Sequence, residues 1–140
     1  IEEVAATPEC ADMKILDKRE GKWSRTQGQD ITMNWLSSGM KFDAILANND
    51  EMAIGAINAL KAARKWRPDT IVAGIDATPD GLSSMKNGDL KVSVFQNLAG
   101  QGAKAVDAAL RLAGKQPVER FVNVPFELVT PENMGQYARP

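Results

Sequence analysis

Short apolar runs alternate with longer stretches of helical spacing along this whole chain, and that alternation restricts the fold more than any other feature. Met13-Lys14-Ile15-Leu16 has the length and composition of a strand. Residues 24–38 have helical spacing, with Ile31 and Trp35 four apart and Met33 and Leu36 three apart, and Gly39 supplies a stop. Phe42 to Ala47 reads as a buried strand. Residues 50–64 carry an apolar stripe of Ala53, Ala56, Ile57 and Leu60, and Pro68 ends that region. Thr70-Ile71-Val72-Ala73-Gly74-Ile75 is the continuous apolar run of a parallel strand covered on both faces. Thr78-Pro79-Asp80-Gly81 opens a helix, because Thr caps, Pro suits the first position and Asp favours the positive end of the dipole. Asn87-Gly88 closes it. Leu90 to Phe95 is the next strand, and residues 98–113 form an Ala-rich helix with Val106, Ala109, Leu110 and Ala113 on one face, ended by Gly114. Phe121 to Val129 is extended and interrupted at Pro125. Thr130-Pro131-Glu132-Asn133 repeats the Thr-Pro helix-opening signal. Strand then helix, four times over, then a last strand, predicts an α/β fold: a doubly wound parallel sheet with right-handed crossovers.

Composition narrows the chemistry. The 140 residues suit one domain, and 44% hydrophobic with 25% charged residues is ordinary for a globular chain. Seventeen basic against 18 acidic residues leave a formal charge of −1, so no nucleic-acid partner is expected. The absence of histidine removes Ser–His–Asp and Cys–His nucleophiles and HExxH zinc sites. A single cysteine, Cys10, rules out an internal disulfide and a Cys-only zinc site. Both glycine-rich phosphate motifs, GxGxxG and GxxxxGK[ST], are missing. Neither a metal nor a cofactor is expected. No apolar run approaches the roughly 20 residues of a membrane span. Ile1-Glu2-Glu3-Val4-Ala5-Ala6 reads as the last turns of a helix, without a signal peptide, so the chain is expected to be truncated from something longer.

In an open α/β sheet, ligands bind beyond the carboxyl ends of the strands. Asp17 to Trp23 follow the first strand, Asn48, Asn49 and Asp50 the second, Asp76 and Thr78 the third, and Gln96 and Asn97 the fourth. Amides and carboxylates of this kind form paired hydrogen bonds with vicinal hydroxyls, and an indole stacks on the C–H face of a sugar or cyclitol ring. Each residue also has a plainer reading. Asn49 or Asp50 serves equally as a helix cap, and Asp76 as a turn residue. Trp23, taken alone, reads more readily as core than as ligand platform. Residues 18–22 read as a solvated loop, and Trp35, Trp66 and the methionines as packing or surface residues. An Asp50/Asp76 acid–base pair is conceivable, but no nucleophile, metal or cofactor stands beside it, so the expectation is a binding protein and not an enzyme.

The turn Ile45-Leu46-Ala47-Asn48-Asn49-Asp50-Glu51-Met52-Ala53-Ile54-Gly55-Ala56 resembles the second half of periplasmic sugar-binding proteins of the ribose/galactose/inositol type. So do Val72-Ala73-Gly74-Ile75-Asp76-Ala77-Thr78-Pro79-Asp80-Gly81 and Val92-Ser93-Val94-Phe95-Gln96-Asn97, and Gly21-Lys22-Trp23-Ser24-Arg25-Thr26-Gln27-Gly28 is similar to the stretch bearing that family's ring-stacking aromatic. The resemblance implies that Trp23 stacks on the sugar ring. It implies that Asn49 and Asp76 hydrogen-bond sugar hydroxyls, that Gln96 is a polar contact at the inter-lobe crossover, and that Asp50 caps the helix and orients the site. Family members are two-lobed solute receptors for ABC importers, closing on the ligand by hinge motion.

The family length implies that only the second half is present. Residues 1–96 would be the ligand-binding carboxyl-terminal lobe, lacking its first strand and most of its first helix. Residues 97–118 would be a crossover helix belonging to the absent amino-terminal lobe, and 119–140 a return strand and tail. The stripe Val106, Leu110 and Ala113 would then lie exposed, and an isolated chain would self-associate, swap, or dock that helix differently. The implied partners are a monosaccharide or cyclitol and an ABC permease, and the implied location is the periplasm. The general look is closest to receptors for inositols and inositol-derived amines. The effector domain of a lac-repressor-type regulator shares the fold and a similar Asn-Asp-Glu-Met-Ala turn. The Asp-Ala-Thr-Pro-Asp-Gly turn and the Val-Ser-Val-Phe-Gln-Asn strand look like the transport branch.

Overall fold

A computed structural model describes residues 2–138. Its helices are α1 (Glu2–Ala5), α2 (Arg25–Ser37), α3 (Asp50–Ala62), α4 (Pro79–Lys86) and α5 (Leu98–Ala113), and its strands are β1 (Ala44–Leu46), β2 (Ile71–Ala73), β3 (Ser93–Phe95) and β4 (Glu127–Val129). β1 pairs in parallel with β2, Ala44 opposite Ile71 and Leu46 opposite Ala73. Parallel bridges from Ala73 to Val92 and from Asp76 to Phe95 join β3 to β2. The Gly74 and Asp76 N–H groups donate to the Val92 and Val94 carbonyls at 2.9 and 2.8 Å. The parallel α/β sheet expected of a periplasmic-binding-protein lobe is therefore present. Its last strand, β4, runs antiparallel along β3, from Ser93 opposite Val129 to Phe95 opposite Glu127.

Burial explains the order. The α3 stripe of Ala53, Ala56, Ile57 and Leu60 is buried against Ile45 of β1 and Val72 of β2, with Met85, Leu90 and Val129 in the same cluster. α2 lies across α3 at close range. A Cβ on Gly28 would strike the Met52 backbone, and one on Gly55 the Arg25 carbonyl, so only glycine admits this approach. Trp35 and Trp66 flank the core as packing residues. The Trp35 indole N–H donates to Asp17 at 2.7 Å, which holds the Asp17 carboxyl below its usual range.

Three expectations are corrected. Residues 13–16 belong to no strand, and Met13, Ile15 and Leu16 stay exposed. A run this short becomes a strand only where a sheet edge meets it in register. Of the stretch from Phe121 to Val129, only Glu127–Val129 pairs; Pro125 has no N–H to give a ladder, and Phe121 and Phe126 are exposed. Thr130-Pro131 opens no α-helix. The Asn133 side chain accepts from the Thr130 N–H at 2.8 Å and donates to the Leu128 carbonyl at 2.9 Å, closing a turn before a 3-10 segment at Met134–Gln136. At the amino end, α1 matches the helix expected there, while Ile1 lies outside the described residues.

α5 is the exception to the packing. It buries no residue, and Val106, Leu110 and Leu112 are exposed. A hollow of about 460 Å³ between it and the following chain is lined by Gln96, Gln101, Lys104, Val122 and Phe126, among others. The Lys104 ammonium reaches across to the Asn123 carbonyl at 2.6 Å.

Candidate functional site

Every helix from α2 to α5 begins with a side chain folded back on the backbone. Ser24 accepts from the Gln27 N–H at 3.4 Å, Asn49 from Met52 at 2.9 Å, Thr78 from Gly81 at 3.0 Å and Asn97 from Gly100 at 2.8 Å. Three of these caps follow β1, β2 and β3 directly, so helix amino ends and strand carboxyl ends share one rim.

Trp23 stands on this rim and is 70% exposed, contrary to the core reading that the residue suggests in isolation. Lys22 and Trp23 have φ values of 48° and 53°, the left-handed region that bulky residues avoid. The turn is held from outside, because the Asn49 amide N–H donates to the Trp23 carbonyl at 3.3 Å. Asn49 thus has two jobs: its oxygen caps α3 and its nitrogen ties down Trp23. These two bonds leave one amide hydrogen and one oxygen lone pair of the buried Asn49 side chain uncommitted.

Asp76 and Gln96 are brought together. The Gln96 amide donates to Asp76 Oδ1 at 2.8 Å, and both side chains are half-buried. Asp76 has φ 111° and Ala77 φ 50°, two successive non-glycine residues in the left-handed half of the map. Each such residue costs of order 1–3 kcal/mol and persists only when its surroundings over-determine it.

Asp50 is fully buried. Its carboxylate accepts from the Thr78 N–H at 2.7 Å, the Thr78 hydroxyl at 3.2 Å and the Ser93 hydroxyl at 2.7 Å. Burial raises its pKa, against the pull of the Ser93 and Thr78 hydrogen bonds. A Cβ on Gly74 or Gly81 would collide with this carboxylate, so both glycines clear space for it. The alternatives left open by the residues themselves divide here: Asn49 caps α3, and Asp50 binds the next turn.

Trp23, Asn49, Asp50, Asp76 and Gln96 therefore form one connected path. Asn49 holds the indole turn, its neighbour Asp50 holds Thr78, and Asp76, two residues before Thr78, meets Gln96. The rim presents an aromatic face, a carboxylate and two amides, a set suited to ring stacking and to paired hydrogen bonds with hydroxyls. Residues 18–20 and Lys22 are exposed, as expected of a solvated loop, but Gly21 is buried against the Met52 side chain, where a Cβ would not fit without a shift.

Two contributors escaped the sequence. Ser93 had a signal, a lone hydroxyl on a strand otherwise built of Val92, Val94 and Phe95. Arg25 had none. Its guanidinium pairs with both Glu51 oxygens at 2.8 Å and with Asp80 at 2.6 Å, tying the first turns of α2, α3 and α4 across separations of 26 and 55 residues. These carboxylates raise the Arg25 pKa further.

Comparison with known proteins identifies the family. Residues 1–117 match the family model for the periplasmic binding protein domain. The chain is 50% identical over 137 residues to a putative rhizopine-binding protein of Rhizobium meliloti, covering 98% of this chain and 44% of that one. It superposes with a TM-score of 0.84 and 46% identity on an ABC transporter solute binding protein from Bacillus halodurans with bound myo-inositol, over 92% of this chain and 45% of that one. A periplasmic solute binding protein from Actinobacillus succinogenes with bound D-allose superposes with a TM-score of 0.86 and 29% identity, over 96% and 47%. The chain spans about half the length of these relatives. With its fold, its rim of caps and these matches, it belongs to the periplasmic binding protein family.

Proposed function

We propose that this chain is the ligand-binding half of the solute receptor of an ABC importer, holding a monosaccharide or an inositol-like cyclitol between two lobes. The observation that carries the reading is the 46% identity, over 92% of this chain, to a receptor with myo-inositol bound. In this reading Trp23 stacks on the ring. Asn49, Asp76 and Gln96 bond its hydroxyls, and Asp50 fixes the turn between them. Residues 1–96 form the lobe. Residues 97–118 supply a helix to the amino-terminal lobe and 119–140 return, a division that accounts for α5 burying nothing. Self-association of the chain on its own would have the same origin. A membrane permease is the onward partner, and the periplasm the place of work. The relatives named above are solute receptors, which favours this reading over a lac-repressor-type regulator. Asp50 serves three donors at once, which argues against its use as a general acid or base.

Titration calorimetry of the two-lobed protein with myo-inositol, aldohexoses and pentoses tests this. Trp23→Ala and Asp76→Ala should each weaken binding by about 1–3 kcal/mol or more, because buried ligand groups lose their partners. Unchanged affinity in both variants sinks the site assignment. The 140-residue chain alone should bind no sugar tightly. A micromolar Kd for it would contradict the half-receptor reading.

A further inference from the structure

We propose that Ser93 is a positioning residue of the binding site: it couples the buried Asp50 carboxylate to the Asp76–Thr78 turn and so fixes where the Asp76 carboxylate stands.

The hydrogen-bond directions are forced. An ionised carboxylate only accepts, so the single Ser93 hydroxyl proton goes to Asp50 Oδ1 at 2.7 Å. Its lone pairs are then free, and the Ala77 N–H donates to Ser93 Oγ at 3.0 Å. The next N–H, that of Thr78, donates to Asp50 Oδ2 at 2.7 Å. Two successive backbone amides are thus held through one carboxylate, one directly and one through serine. They follow Asp76 at φ 111° and include Ala77 at φ 50°. Such a backbone relaxes unless it is fixed from outside. On the far side of the turn Gln96 meets the Asp76 carboxylate. Ser93 and Asp50 are both fully buried, so water offers no substitute partner. Alanine at 93 would leave the Ala77 N–H and one Asp50 oxygen unpaired together, and threonine would keep the hydroxyl.

The ligand-binding part of this inference rests on the proposed receptor function, but its structural part does not. Amide hydrogen exchange on the 140-residue chain tests the lock by itself. In the wild type, the Ala77 and Thr78 amides should be protected although they lie in a turn. Ser93→Ala should speed exchange at Ala77 by about 30-fold or more, while Ala59 and Leu60 in α3 change by less than about threefold. Ser93→Thr should restore most of the protection. In the two-lobed protein, Ser93→Ala should lower affinity for the polyol by roughly tenfold, with Ser93→Thr again close to wild type. Unprotected Ala77 and Thr78 amides in the wild type overturn the proposal, and this measurement needs no folded variant. Equal acceleration at Ala77 and in α3 also overturns it, since serine would then be mere packing. So does wild-type affinity in a Ser93→Ala protein whose Ala77 amide is released. If the wild-type two-lobed protein binds no sugar or cyclitol while Ala77 stays protected, the receptor function fails and the Ser93 lock stands.

Discussion

α3 and α5 carry the same kinds of local helix signal. Both are rich in alanine, both carry an apolar stripe, and both start from an asparagine whose oxygen accepts from the third helical N–H. α3 buries seven residues and α5 none. Leu60 is 2% exposed, Leu110 68%. Local pattern and capping decide that a segment is a helix. Whether its stripe becomes core depends on what the rest of the chain brings against it. For α3 that is β1, β2 and the α2 crossing. For α5, among the described residues, it is little more than a hollow and one lysine contact.

The sharpest way to break this contrast is a matched pair of truncations. Leu60→Ala should cost about 2–5 kcal/mol, as a cavity opens in a packed core. Leu110→Ala should cost less than about 0.5 kcal/mol, since that side chain already meets water. Urea unfolding of the 140-residue chain measures both. Equal costs would mean that α5 is covered in solution, and the unfolding midpoint would then shift with concentration if a second copy covers it. If α5 packs on a second lobe as proposed, the cost at Leu110 in a two-lobed receptor should climb towards that at Leu60.

A smaller effect separates the two ends of α3. Asp50→Asn should destabilise by about 1–3 kcal/mol, because an amide cannot accept from Thr78 and Ser93 together without presenting a donor to a donor. The pH dependence has a defined sign. Burial raises the Asp50 pKa above the ordinary value of 3.8, so the folded state holds the proton more tightly than the unfolded chain. The stability due to this group is greatest in acid. It falls as pH rises from the ordinary value through the raised one, then levels. The wild-type advantage over Asp50→Asn should narrow across that window, in urea titrations at a series of pH values. An advantage that widens there would mean that the Ser93 and Thr78 hydrogen bonds outweigh burial and hold the folded-state pKa below the ordinary value, and a flat one would place Asp50 in water.

How far the chain was legible follows the same division. The α5 limits, the α3 stripe and the Thr78-Pro79 start rest on local rules, and the structure keeps them; the apolar run at 70–75 does yield β2, but Ile71 is 47% exposed, so the strand is not covered on both faces. The run at 13–16 and the stretch from Phe121 fail because a strand is a relation to a neighbour, and no periodicity names the neighbour. Trp23 shows the same limit from the other side: its residue type points to core, while a left-handed turn carries it out to the rim. The polar rim residues were readable because they follow strands. What they bond to was not. Asp50 and Ser93 are 43 residues apart, and only the sheet brings them together.

The smallest expected effect tests the contrast on the caps themselves. Asn49→Ala should cost about 1 kcal/mol of global stability, because α3 folds with the core and its first turn loses an acceptor. It also frees the Trp23 carbonyl, so the indole fluorescence should change with it. Asn97→Ala removes the same kind of bond from the same kind of helix. Yet α5 contributes no buried residue, so its fraying is not transmitted to the core. The global unfolding midpoint should stay within about 0.3 kcal/mol of wild type, while far-ultraviolet dichroism reports a loss of helix and the α5 amides exchange faster. A cap at α5 that costs as much as the cap at α3 would show the two helices folding as one unit, and the distinction between them would be gone.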